Sequence, residues 1–239
     1  NITKQLGKYA KRVMAYEFDP KYFHKLEREL RQHENISIIN DDFLQASLPS
    51  SSFKVFSNIP FSLTSDIVSK ITDEESKLEE AFIFVQKEAS YRYIGYPKNT
   101  QISAILSFRY KIEIFEKLRR EDFSPVPSVD IVVLKLSQKD CGVEFLLYRD
   151  FITFIFNQMN PNVMDTLKRL FTQKQLPIIK KYLNREKWST PSDVSSEYYL
   201  EIFTHFLKNG EKYKDLVKGY YQKHIQQHGD REKINRTRV

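Results

Sequence analysis

Asn58-Ile59-Pro60-Phe61 follows directly on the apolar run FKVFS. Pro60 has a fixed φ and no N–H, and it holds the preceding Ile59 extended. The carbonyls near Asn58 and Ile59 can then point outward. Together with one of them, the Asn58 side-chain oxygen can accept both protons of a single NH2 group. Phe61 offers a flat face for a base, worth on the order of 1–3 kcal/mol of stacking. An aromatic amine is a poor nucleophile because its lone pair is delocalised into the ring. Acceptors that draw both N–H bonds out of line let that pair localise and aim at an electrophilic methyl. These four residues are the catalytic candidates. Taken alone, an Asn-x-Pro sequence is also an ordinary turn.

Three further groups stand at places where such chemistry would need them. Glu17, in AYEFD, ends an apolar run, and an acid there can accept both hydroxyls of a ribose, with Phe18 beside it. The alternative is a carboxylate favoured by a helix N-terminus, a role that suits Asp19 better. Asp41 and Asp42, in INDDFL, follow another apolar run. Asp42 could accept from an adenine amine while Phe43 covers the ring, although a loop carboxylate is more often simply solvated. Phe123-Ser124-Pro125-Val126-Pro127-Ser128-Val129 is a stiff loop that could present Phe123 as a second aromatic wall. A plain proline-rich connector has the same composition.

The elements that must hold these residues alternate between strand and helix. Arg12–Phe18, Ile36–Asn40, Phe53–Ile59 and Ala81–Gln86 read as short buried strands. Pro20 can open a helix because its missing N–H costs nothing at the first helical position. Phe23, Leu26 and Leu30 then share one helical face, and Ser65–Ile71 reads as another helix. This alternation implies an α/β fold with a parallel sheet and helices on both faces. Ligands of such sheets bind beyond the carboxyl ends of the strands, which is where Glu17, Asp42 and Asn58 fall. Lys111–Leu118 alternates like a half-exposed strand, and with Asp130–Leu136 it can pair antiparallel at the sheet's edge. After Gln138 the texture is helical, in Tyr148–Gln158, Val163–Phe171, Thr172–Leu183, Ser192–Asn209 and Lys212–His228. A domain boundary is expected near Ser137–Gly142, dividing residues 1–138 from a helical domain of 139–228 and a basic tail of 229–239.

Composition narrows the class. Of 239 residues, 41% are hydrophobic and 29% charged, enough for a core and too apolar for disorder. No run approaches the roughly 18 apolar residues of a membrane span, and the first residues lack the layout of a secretory signal. One cysteine, Cys141, excludes a disulfide framework, and the five histidines lack zinc-site spacing. A soluble, cytoplasmic, monomeric protein without metal is expected. Residues 1–138 hold 20 Lys and Arg against 19 Asp and Glu, whereas 139–239 hold 18 against 12. The excess positive charge therefore lies in the helical part and points to a polyanion. Lys168, Arg169, Lys180 and Lys181, where two helices meet, are candidates for phosphate contact, as is Arg109. A solvated helix face would carry the same charges.

The order and spacing of these motifs resemble the ribosomal RNA adenine N-6 dimethyltransferases, a family that includes the erythromycin-resistance (Erm) enzymes and the housekeeping small-subunit dimethyltransferases. Asn58–Phe61 matches the family's Asn-(Ile/Leu)-Pro-(Tyr/Phe) motif, and Phe123–Val129 its Phe-x-Pro-x-Pro-x-Val loop. Glu17 falls on its ribose-binding acid and Asp42 on its adenine-contacting Asp. Phe82–Arg92 is similar to its strand-and-helix block, with Arg92 on a basic position associated with RNA. The resemblance covers residues 1–137 in detail. It implies a Rossmann-like class I methyltransferase sheet with a small helical C-terminal domain, S-adenosylmethionine as cofactor, and a ribosomal RNA adenine held between Phe61 and Phe123. NIPFSLTSDIVSKI leans toward the Erm branch and hence 23S RNA and macrolide resistance; QKEAS leans toward the housekeeping branch. A non-catalytic nucleic-acid-binding relative is the third reading. The family's glycine-rich loop and an upstream Gln-Asn-Phe-type motif are expected to precede residue 1, since Asn1-Ile2-Thr3 resembles the helix just after that loop. The retained Glu17, Asp42 and Asn58 speak for an enzyme.

Overall fold

The computed structural model describes residues 2–142, 144–159, 162–183 and 189–227, with side chains only as far as residue 180 in the third stretch. In chain order the elements are α1 (Ile2–Leu6), β1 (Val13–Tyr16), α2 (Pro20–Leu30), β2 (Ile36–Ile39), β3 (Phe53–Asn58), α3 (Thr64–Ile71), β4 (Leu78–Gln86), α4 (Lys87–Ile94), α5 (Gln101–Leu106), β5 (Tyr110–Leu118), β6 (Ile131–Gln138), α6 (Phe145–Phe156), α7 (Val163–Leu167), α8 (Leu176–Leu183), α9 (Ser196–Asn209) and α10 (Lys214–Val217). Residues 220–227 are also helical. Among the described residues no helix is long and apolar enough to cross a membrane. The expected basic tail, 229–239, and His228 lie outside the described residues.

Instead of one sheet, the strands form two. β1 pairs with β2, and a four-stranded sheet runs β3-β4-β6-β5. β1 pairs only with β2 among the described strands, and β3 only with β4, so no ladder links the two sheets. The chain divides likewise into two compact units, one ending at Ser51 but including Ser65–Ser76, the other made of Ser52–Thr64 and the chain from Lys77 onward. Neither division falls at the expected boundary near Ser137–Gly142.

In the first unit, sequence and structure agree closely. Asp19 caps α2, its Oδ1 accepting from the Lys21 N–H at 2.8 Å, and Pro20 occupies the first turn. Leu30 is buried, with Phe23 and Leu26 half-buried on the same face. β1 and β2 run parallel, Val13 opposite Ile36 and Tyr16 opposite Ile39. The Asn35 amide ties the connection before β1 by donating to the carbonyls of Gly7 and Ala10.

In the second unit, β3 and β4 are parallel, while β4–β6 and β6–β5 are antiparallel. Ala81, Ile83 and Val85 of β4 stand opposite Leu136, Leu134 and Val132 of β6, all buried on one face. Lys54, Phe56 and Asn58 of β3 share the other face with Glu80, Phe82 and Phe84. The edge strand β5 departs from the simple alternation expected of it, because its register with β6 shifts between Ile114 and Glu116 and leaves Phe115 exposed; its exposed charges discourage edge-to-edge pairing. α4 ends at Gly95 (φ +73°), a left-handed cap that glycine adopts without steric cost.

The helical part packs α6 against α7 and α9, with Tyr148, Phe151, Phe203 and Phe206 at its centre. Ala104 and Ile105 of α5, a helix without a clear sequence signal, belong to the same core. The Tyr148 hydroxyl donates to the Ala104 carbonyl at 3.0 Å. α8 starts later than its periodicity suggests, because Gln175 Oε1 accepts from Thr172 N–H and Oγ and holds a turn there. The single helix expected over Lys212–His228 is broken: α10 ends at Val217 and Gly219 has φ +76°. The buried Asp150 carboxylate of α6 caps the helical stretch 220–227, accepting from the N–H groups of Gly219 (2.7 Å) and Tyr221 (2.9 Å).

These bonds have measurable consequences. Asp150→Ala leaves two N–H groups without their acceptor and lowers stability by about 2–3 kcal/mol in urea unfolding, whereas Asp150→Asn, still able to accept once, loses less. Asp193 accepts from Lys98 and from the Thr190 N–H, and these partners, Lys98 foremost, hold its carboxyl far below the usual carboxylate range. Its contribution is present above the unfolded value near pH 4 and fades as pH falls below it. The melting temperature should therefore drop more steeply below about pH 4 for the natural chain than for Asp193→Asn; equal slopes would contradict this.

Candidate active site

The first unit gathers two carboxylates at one edge. As β1 ends, the Glu17 N–H donates to the Ile39 carbonyl, and the Asp19 N–H donates to Glu17 Oε1 at 3.0 Å. The Asn40 amide donates to the carbonyls of Glu17 (2.8 Å) and Phe18 (3.2 Å), stitching the loop after β1 to the end of β2. Asp42 Oδ1 accepts from the Leu44 N–H at 2.9 Å, forming a tight turn. Phe43 lies edge-on to Tyr16, ring centroids 5.4 Å apart, with the Lys70 ammonium 5.7 Å from its centroid. Lys70 also donates to the carbonyls of Leu44 and Ala46. Neither Glu17 nor Asp42 is paired with a cation among the described residues, so Glu17 Oε2 and Asp42 Oδ2 are left for hydroxyl or amine donors. Phe18 is exposed. The arrangement fits the ribose and adenine of S-adenosylmethionine. Asn40 and Lys70, which shape it, carry no signal of that role in the sequence.

The second unit places the NIPF residues at the carboxyl end of β3. Asn58 is exposed, and its amide makes no hydrogen bond within the described residues. Ile59 is buried and anchors the turn, and Pro60 (φ −56°, ψ 129°) leads into a tight 3-10 turn, Phe61–Leu63. The Leu63 N–H donates to the Pro60 carbonyl and the buried Thr64 hydroxyl to that of Phe61, both at 2.9 Å. Asn58 thus projects while its neighbour is fastened. Phe84 stands in register beside Asn58, and Phe123 packs edge-on against Phe84 with centroids 6.3 Å apart. Phe61 and Phe123 share no ring contact among the described residues; the aromatic linking Asn58 to Phe123 is Phe84. Its signal was its odd-numbered spacing from the buried positions 83 and 85, a face that sequence alone left unassigned. Beyond Phe123, Asp130 accepts from Arg120, which holds its carboxyl below the ordinary value.

The basic candidates separate. Arg92 is exposed, its guanidinium 5.4 Å from the Tyr93 ring centroid. Arg109, expected at an RNA surface, is instead only 7% exposed: its guanidinium lies over the rings of Phe145 (5.0 Å) and Tyr110 (5.4 Å), so no phosphate reaches it. Lys168 and Lys180 flank one cleft of about 360 Å³ with Phe171 and Leu176 in its lining. Arg169 is directed elsewhere, toward Gln158 and the Phe154 ring. The Lys181 side chain lies outside the described residues. No group of His, Cys, Asp and Glu suited to a metal ion occurs among the described residues.

Carboxylates beyond β1 and β2 in one unit, and in the other an exposed Asn ending β3 with a helical C-terminal part, are features of an α/β class I methyltransferase, the fold the structural likeness below shows. Residues 1–207 match the family model described as "Ribosomal RNA adenine dimethylase", and the chain belongs to that family of S-adenosylmethionine-dependent rRNA adenine N-6 methyltransferases. It is 27% identical over 209 residues to "Ribosomal RNA small subunit methyltransferase A" of Mycoplasmopsis pulmonis, covering 84% of this chain and 82% of that one. It is also 27% identical over 209 residues to "rRNA adenine N-6-methyltransferase" of Bacillus licheniformis, covering 84% and 72%. Among solved structures, that of the 23S rRNA methyltransferase ErmE superposes with a TM-score of 0.78 at 26% identity over 86% of each chain.

Asn58→Ala should cut methyl transfer more than about tenfold, or 1.4 kcal/mol of barrier, with stability changed by no more than about 0.5 kcal/mol, as at other exposed positions. Phe84→Leu keeps apolar bulk but loses the ring edge, and activity should fall roughly two- to tenfold, matching the 0.5–1.5 kcal/mol of an aromatic pair. Steady-state methylation assays and urea unfolding check both.

Proposed function

We propose that this chain transfers methyl groups to the exocyclic amine of one adenine in 23S ribosomal RNA and so confers resistance to macrolide-type antibiotics. The carrying observation is the exposed Asn58 beside Phe84 at the end of β3, joined to the structural likeness to ErmE. In this reading the Asn58 side-chain oxygen and a neighbouring carbonyl accept the two protons of the target amine. Phe61 and Phe123 stack on the adenine, which must be flipped or already unpaired to enter. The amine nitrogen is thereby aimed and its lone pair localised; the product loses its proton readily once the methyl has arrived. Catalysis is positioning with preorganised acceptors and needs no strong base.

S-adenosylmethionine, when bound, supplies the electrophilic methyl. Glu17 would hold its ribose hydroxyls and Asp42 its adenine amine, with Phe18 and Phe43 beside the ring. Residues 1–138 serve as the catalytic part, and the basic residues of 139–228, Lys168 and Lys180 foremost, hold RNA through its phosphates together with Arg92 of the catalytic part. Phosphate contacts position the protein without reading sequence.

A small-subunit target is the second reading, favoured by the equal identity to the Mycoplasmopsis pulmonis relative. Primer extension on ribosomal RNA from cells expressing the protein separates the two. The expected result is a new stop at an adenine of 23S RNA together with a raised macrolide tolerance. A stop confined to 16S RNA would overturn the large-subunit assignment, and no stop in either RNA would overturn the enzyme.

A further inference from the structure

The loop that carries Phe123 is closed by its own ends. Arg120 donates from Nε (2.9 Å) and Nη2 (2.6 Å) to one carboxylate oxygen of Asp130. The other Asp130 oxygen lies 3.7 Å from Lys87 Nζ, and the Asp130 carbonyl accepts from the Lys87 N–H at 2.9 Å. Lys87 opens α4, three residues beyond Phe84. Asp130 therefore anchors three stretches at once: the start of the loop, the start of β6 and the junction of β4 with α4. A lone exposed ion pair contributes little. This one is a network of three charges, and a backbone bond fixes its centre in sheet register. Next to it Phe123 meets Phe84, and Phe84 stands beside Asn58.

We propose that Arg120 and Asp130 form a positioning clasp for the reaction, holding Phe123 against Phe84 at the distance from Asn58 that the target adenine requires. The proposal rests on the reading that the adenine stacks on Phe123. The clasp touches neither adenine nor methyl donor; it acts through Phe123. Its loss should therefore appear in the turnover of bound RNA and leave the grip on S-adenosylmethionine unchanged, because Glu17 and Asp42 belong to the other unit.

The test uses the full chain with S-adenosylmethionine and ribosomal RNA. Arg120→Met and Asp130→Asn should lower kcat at least about tenfold, as small misplacements of reacting groups do, with KM for S-adenosylmethionine within about twofold. Arg120→Lys should recover a large part of the loss. In a Phe123→Ala background, Arg120→Met should have no further effect, because the residue it positions is gone. A merely structural role would instead give additive losses, and additivity, or a kcat unchanged in Arg120→Met, overturns the clasp. If Asp130→Asn fails to fold, the Arg120 variants and the double variant decide alone. A natural chain inactive on every ribosomal RNA would remove the functional reading itself, whereas an active natural chain with an indifferent Arg120 removes only the clasp.

Discussion

The burial of one face of the four-stranded sheet is the constraint on which the candidate site depends. Ile83 and Leu134 are fully buried opposite each other, as are Ala81 and Leu136. Side chains alternate along a strand, so a slip of one residue would turn every one of them to the other face. With the buried pairs in place, Phe84 must project beside Asn58 and β6 must begin at Ile131, just after Asp130. Asn58 and Phe84 sit on the more open face because their neighbours along the strands are committed to the core. Ile59 repeats this logic within the motif: its burial pins the turn so that Asn58 and Phe61 need not contribute to stability.

Much of this was legible in the residues. Asp19 and Pro20 announce α2 because a capping side chain and a missing N–H both belong at a helix start. The strands declare themselves as short apolar runs bounded by polar turns. The paired proline motifs resemble those of a known family, and that family is the one to which the chain belongs. Partnership over distance is the part that local pattern could not reveal. Arg109 reads as a free cation until Phe145, far along the chain, supplies the ring that covers it. Lys70 reads as a helix-surface lysine until the carbonyls of Leu44 and Ala46 appear beside it. The break after α10 depends on a carboxylate from α6, and a helical pattern contains no sign of a cap delivered from elsewhere. Phe84 stays hidden because a strand with buried side chains on one face and aromatic ones on the other looks uniformly apolar.

At the seam between the sheet and the helical part, composition and packing follow different lines. The texture changes abruptly near Gln138, yet the hydrophobic core does not. Ala104 and Ile105 come from the side of the chain that composition assigns to catalysis, and they pack with Tyr148 and Phe203. Lys139 adds to the join, its N–H donating to the Arg109 carbonyl and its ammonium to that of Ser107. Charge and core are different properties, and here they change at different residues.

The shared core gives the two parts a common fate. A gene cut at the compositional boundary would deprive the Tyr148 hydroxyl of the Ala104 carbonyl and strip α6 of the surface that α5 covers. The helical part is therefore not a cassette that can be lifted out or exchanged by recombination at that point.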